Sequence, residues 1–241
     1  MKKILPVLLV LTLMLTMASC GSALPAAAAN AAPAASAQGA GLITIPRAAD
    51  GDFKTPEDTL HYFTDCLKKN DFLAASKAFA IYEIPAHIDY AAYSDWLKIT
   101  YMPSGQFPAQ YKDINSAVLF GQAANCYKSA VLCLCGLDPS DMQVQNTADD
   151  TTNFIAAVSP DKLSATAMIS EDMESTLSAD MKDKHRQNMA VQAKAFGADE
   201  CRTYVVTLSL GGNKADCDTL ILLRYGSNWY ISSGMFALPS Q

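Results

Sequence analysis

Apolar positions along the chain follow a helical period in its first part and shift toward strand patterns nearer the C-terminus. Leu60, Phe63 and Leu67 recur at spacings of 3 and 4, the apolar face of a helix. Thr55-Pro56-Glu57-Asp58 supplies an N-cap hydroxyl, a proline at the first helical position and an acid three residues after the cap, and Asn70 closes the helix. Asp71 caps a second helix in which Phe72, Ala75 and Phe79 face one way, so the two short helices form a hairpin through residue 80. Residues 82–111 are punctuated by Pro85, Pro103 and Pro108, and a helix is expected from Tyr90 to Lys98. A longer buried helix is expected from Asn115 to Leu137, where Gln122, Asn125 and Lys128 argue against a transmembrane span.

Beyond Pro139 the pattern predicts a strand over Met142–Gln145, a short helix over Thr151–Val158 and a strand over Leu163–Ile169. Glu171–Phe196 reads as helix with a break near Ser178, ended by Gly197. Thr203–Leu210 and Thr219–Tyr225 are joined across Gly211-Gly212-Asn213 as a hairpin, and Asn228–Ser232 adds a strand after Gly226-Ser227. The fold class is therefore α+β, with a mainly antiparallel sheet toward the C-terminus.

The first 50 residues have a different texture. Lys2 and Lys3 precede 14 uncharged residues, Ile4–Met17, followed by small Ala18 and Ser19; this reads as a signal peptide over residues 1–19, since a membrane-spanning helix needs roughly 20 apolar residues. Leu15-Thr16-Met17-Ala18-Ser19-Cys20-Gly21 resembles the lipobox of bacterial lipoproteins. The resemblance implies cleavage between Ser19 and Cys20 and acylation of Cys20, palmitate among the acyl groups; the alternative is plain secretion with Cys20 incidental. Eleven of the eighteen residues Ala23–Ala40 are Ala, interrupted by Pro25 and Pro33, so residues 20–49 are expected to be a flexible tether and 50–241 a single domain. Without Lys2 and Lys3 the chain has 18 − 2 = 16 basic residues against 24 acidic ones, a charge of −8, which argues against a nucleic-acid partner. The expected location is the extracytoplasmic face of a bacterial cell membrane, reached through lipid rather than a basic patch.

The opening Thr55 to Leu60, the run Leu67 to Phe72 and the ending Leu223 to Ile231 resemble small bacterial lipoproteins of the nuclear transport factor 2-like family. That resemblance implies helices packed on a curved antiparallel sheet forming a cone, with residues 82–138 as an insertion or separate helical layer. It implies a shape more than an activity, because such folds host enzymes, binding modules and scaffolds.

Chemistry-bearing residues are sparse. His61 and Asp65, one helical turn apart, form the one candidate catalytic pair; the competing reading is two surface neighbours. His87 has no evident partner, and His185 falls on the stripe Met173, Leu177, Met181, His185, Met189, whose plainer reading is core packing rather than a copper site. With Cys20 acylated, six cysteines remain, and mostly free, buried thiols are favoured; a Gly212-Asn213 turn sets Cys201 opposite Arg224 and Cys217 opposite Leu208, so those two do not meet. The aromatics Tyr90 to Tyr111 could stack on a ligand but usually supply core area, and Asp149-Asp150 and Glu171-Asp172 read as solvated or helix-start charges. No phosphate loop, nucleophile elbow or metal-binding helix motif occurs, and no cofactor or metal is expected. The leading expectation is a non-enzymatic, membrane-anchored module binding a small ligand or envelope protein in an apolar closed pocket. The alternatives are a cone-shaped hydrolase or isomerase with a charged dyad in its pocket, and a purely structural interaction module.

Overall fold

The computed structural model describes residues 44–97, 110–141 and 151–239. The helices are α1 (Pro56–Lys68), α2 (Phe72–Ala75), α3 (Glu83–His87), α4 (Tyr90–Leu97), α5 (Gln110–Leu134), α6 (Thr151–Ala157), α7 (Met173–Thr176) and α8 (Ala179–Phe196). Strands β1 (Ala167–Asp172), β2 (Glu200–Leu210), β3 (Asn213–Tyr225) and β4 (Asn228–Ser233) form an antiparallel sheet in the order β1-β2-β3-β4. The described chain is thus α+β, as its patterning predicts.

The start of α1 is a complete capping box: the Asp58 amide donates to the Thr55 hydroxyl at 3.1 Å and the Thr55 amide to the Asp58 carboxylate at 2.9 Å. Asp71 caps α2 through the Ala74 amide at 2.9 Å. Residues paired across strands share a face. Val206, Leu208, Leu222 and Ile231 point toward α1 and α5, where Leu60, Phe63, Leu67, Tyr127, Ala130 and Val131 are buried against them. The second half of α5 is the centre of this core. Within the insertion expected at 82–138, the second half of α5 therefore belongs to the core rather than to a separate layer: Tyr127, Ala130, Val131 and Cys133 are wholly inaccessible. The opposite face, with Thr203, Leu223 and Tyr225, is covered near one end of the sheet by α3, α4 and the C-terminal end of α8.

Three local expectations shift. The hairpin turn is Gly211-Gly212, both at positive φ (56° and 95°), one residue earlier than Gly212-Asn213. A bulge then sets Asp218 and Thr219 opposite Val205, so Cys201 faces Leu223 and Cys217 faces Val206. β1 begins at Ala167 rather than Leu163, which is buried in a turn after the 3-10 stretch Pro160–Lys162. Glu171 and Asp172, expected to open a helix, end β1 instead, and the Asp172 carboxylate caps α7 through the Glu174 amide at 2.9 Å. The strand expected at Met142–Gln145 lies outside the described residues.

The packed unit begins at Thr44, six residues before Asp50. The Arg47 guanidinium lies 3.8 Å from the centroid of the Tyr82 ring, the Asn228 amide donates to the Ala49 carbonyl at 2.7 Å, and Ser227 bonds Asp50. Lys77 meets Asp52 at 2.6 Å and, with the Ala49 amide, holds its carboxyl below the usual range. A carboxyl with a depressed folded pKa stabilises above its unfolded pKa and loses that contribution as pH falls through the folded value. Asp52→Asn is therefore expected to make urea stability less sensitive to acidification below about pH 4; an unchanged pH slope would contradict the linkage.

α8 ends at Gly197 in the left-handed conformation, φ 63°, and a Cβ there would lie 1.8 Å from the His87 carbonyl oxygen. Gly197→Ala is expected to cost at least about 2 kcal/mol in urea unfolding, from the left-handed backbone and the clash together.

Candidate functional site

The helix hairpin turns its proposed catalytic pair away from the interior. Leu60, Phe63, Thr64 and Leu67 take the inward face of α1, leaving His61 and Asp65 exposed, and Asp65 pairs with Lys68 at 3.0 Å. An exposed pair on the outer face of a helix lacks the water exclusion and positioning that a general base requires. His87 does have partners: its Nδ1 lies 2.9 Å from the Glu83 carbonyl oxygen and 3.6 Å from the Glu83 carboxylate, and its ring sits 5.1 Å from that of Tyr225. Tyr93 and Trp96 pack on Phe196, each 5.6 Å away, and so serve the core. Tyr101, Phe107, Asp149-Asp150, Ser19 and Cys20 lie outside the described residues.

All six cysteines after Cys20 are free thiols; five are buried and Cys135 is exposed. Burial pushes the Cys201 and Cys133 thiols up to about 12 and Cys217 to about 11, which suppresses the thiolate needed of a nucleophile or soft metal ligand. Among the described residues no cluster of three or more His, Cys, Asp or Glu could hold a metal. Nor does the methionine stripe converge: Met181 is 56% exposed, whereas the Met189 sulfur accepts from the Thr203 hydroxyl at 3.1 Å and sits 3.6 Å from Cys201 Sγ.

The site that sequence reasoning missed lies beneath α8. Only Gln192, Ala193, Ala195 and Phe196 of that helix are buried. Its C-terminal end is tied down where the Asp89 amide donates to Ala195 and the Tyr225 hydroxyl donates to the Phe196 carbonyl, at 3.1 and 2.9 Å. Its first three turns stand over the start of β2 and the end of β1, joined to α7 by Arg186, whose guanidinium meets Glu174 at 2.6 Å. The space between is an open groove of about 820 Å³. Met189, Ala190, Ala193 and Cys201 form an apolar floor, and the rim carries charges of both signs. The groove is neither the closed apolar pocket expected of a small-ligand module nor a pocket built around the expected dyad. One signal was available: residues 179–191 carry five charged side chains besides His185, and only Met181, Met189 and Val191 as large apolar ones, so that stretch cannot be buried along its length.

No protein-family model matches the chain, and no curated protein matches it. Among solved structures it is similar to a cystatin-like protein from Ruminococcus gnavus, at 15% identity and a TM-score of 0.42, over 77% of this chain and 44% of that one. The chain thus spans less than half the length of that protein. Among the described residues no helix is long and apolar enough to cross a membrane.

Alkylation with iodoacetamide at pH 8, read by peptide mapping, is expected to modify Cys135 in the native domain and the five buried cysteines only after denaturation. Rapid native labelling of Cys201 would contradict the burial of that thiol at the edge of the groove.

Proposed function

We propose that this chain is a bacterial lipoprotein, cut before Cys20 and held at the extracytoplasmic face of the membrane by acyl chains on that cysteine, whose domain is a non-enzymatic binding module. The Lys2-Lys3 start, the short apolar run and the lipobox-like Leu15 to Gly21 support the address, and the alanine-rich stretch after Cys20 supports a tether. Helices on an antiparallel sheet agree with a nuclear transport factor 2-like cone, which we retain as part of the proposal. The observation that carries the binding reading is the groove of about 820 Å³ under α8, large enough for a ligand or peptide yet open to solvent. An open, mixed-charge groove suits an envelope protein segment better than an apolar small molecule.

Intact mass spectrometry of the full-length protein from a bacterial membrane fraction, beside Cys20→Ala, tests the address. Loss of residues 1–19 with added acyl mass in the wild type, absent from the variant, is the expected result. An unmodified Cys20 in the wild type would remove the lipoprotein reading.

A further inference from the structure

The groove's acids are already engaged. Glu174 takes the Arg186 guanidinium at 2.6 Å, Glu200 bonds both Arg202 and Arg224 at 2.8 and 3.3 Å, and Asp199 accepts from the Gly226 amide at 2.8 Å. Asp172 caps α7 and lies 3.9 Å from Arg202. The two arginines of the rim are occupied by these same acids. What remains is Lys182, His185 and Lys194, all lining the groove from α8; Lys182 and His185 lie close enough to Glu174 to help lower its carboxyl, but Arg186 is that acid's direct hydrogen-bond partner. Although the rim balances in formal charge, its acids are hydrogen-bonded to arginines or backbone amides, which leaves two ammoniums and an imidazole facing the groove without such a direct partner among the described residues.

Their spacing sets the length of the ligand. Lys182 and Lys194 are twelve residues apart, about 18 Å along a helix, too far for one compact anion to bridge. An extended polypeptide covers that distance in about five or six residues, with side chains alternating between its two faces. The floor between the cations, Met189, Ala190 and Ala193, offers apolar contact, including a thioether that adapts to varied side chains. A uniformly charged polyanion fits less well, because Glu200 and Asp199 also line the groove and repel dense negative charge.

We propose that the groove under α8 binds an extended acidic polypeptide segment, its carboxylates on Lys182, His185 and Lys194 and its apolar side chains on the Met189-Ala190-Ala193 floor. This rests on the reading of the domain as a binding module and adds the partner's chemistry. Complementary charge also accelerates encounter and makes binding sensitive to salt.

The test is fluorescence anisotropy on the full-length chain with a labelled hexapeptide of alternating glutamate and leucine, beside its lysine-for-glutamate counterpart and inorganic polyphosphate. The acidic peptide is expected to bind, to weaken at least tenfold with the pair Lys182→Glu and Lys194→Glu, and to tighten several-fold with Glu174→Gln, which releases Arg186. No binding of the acidic peptide, or binding indifferent to these substitutions, overturns the proposal. Tighter binding of polyphosphate with the same sensitivities overturns the choice of a peptide. Ala190→Trp, which fills the groove from an exposed position, separates the two levels: if it blocks only the lysine peptide, the groove binds but the sign is wrong, and if it blocks no probe the binding reading falls too.

Discussion

Everything in this domain depends on how closely α5 approaches the sheet. The helix presents Ala123, Cys126, Ala130 and Cys133 toward the interior, and these small side chains let its backbone sink toward Leu222, Leu220 and Cys217 while Tyr127 fills the space beside Phe63 and Phe72. Truncating any large partner at such a contact leaves a cavity that close-packed neighbours relax into only partly, at a cost of about 2–5 kcal/mol. Small residues in α5 and large ones on the sheet are two halves of one requirement. The buried thiols follow from it, as small apolar groups rather than reactive ones.

A sheet covered on one face by α1 and α5 must still cover the other. The chain does so unevenly: α3, α4 and the last turns of α8 converge on Tyr225, Leu223 and Phe196, while the edge strand β1 keeps Ile169 74% exposed. Gly197 sets this arrangement, since its missing Cβ admits the His87 carbonyl and lets the end of α8 meet α3. The rest of α8 has no comparable anchor, and the groove follows from that asymmetry.

The elements legible in the sequence were those whose signals are local. The Thr55 to Asp58 capping box, the Asp71 cap, the Ser178 break and the Gly197 terminator involve residues within one turn of each other, and each occurs where the pattern set it. The hairpin was legible but its register was not: Gly211-Gly212-Asn213 offers two overlapping turns, and the one-residue bulge at Asp218-Thr219, opposite Val205, has no sequence signature. That residues 115–137 form a buried helix was legible; that residues 123–134 are the centre of the core was not, because small residues and polar Gln122, Asn125 and Lys128 dilute the apolar face. The groove was illegible for a different reason. It is the gap left by where α8 is pinned, a tertiary fact, and its floor residues Met189, Ala190 and Ala193 look like ordinary helix positions. His61 and Asp65 satisfied a spacing rule that any exposed helical pair satisfies.

The central claim is that α8 packs on the sheet from Met189 onward, while its earlier turns stand away from it and are tied to α7 through Arg186 and Glu174, so that the groove lined from Lys182 to Lys194 stays open. Native-state hydrogen exchange read by mass spectrometry tests it most directly, because amides opened by local fraying exchange far faster than those that wait for global unfolding. The account predicts rapid exchange over residues 181–188, against strong protection over 192–196, 124–134 and 220–225. Uniformly strong protection along the whole of α8 would contradict it and require a covered, tightly packed helix with no accessible groove.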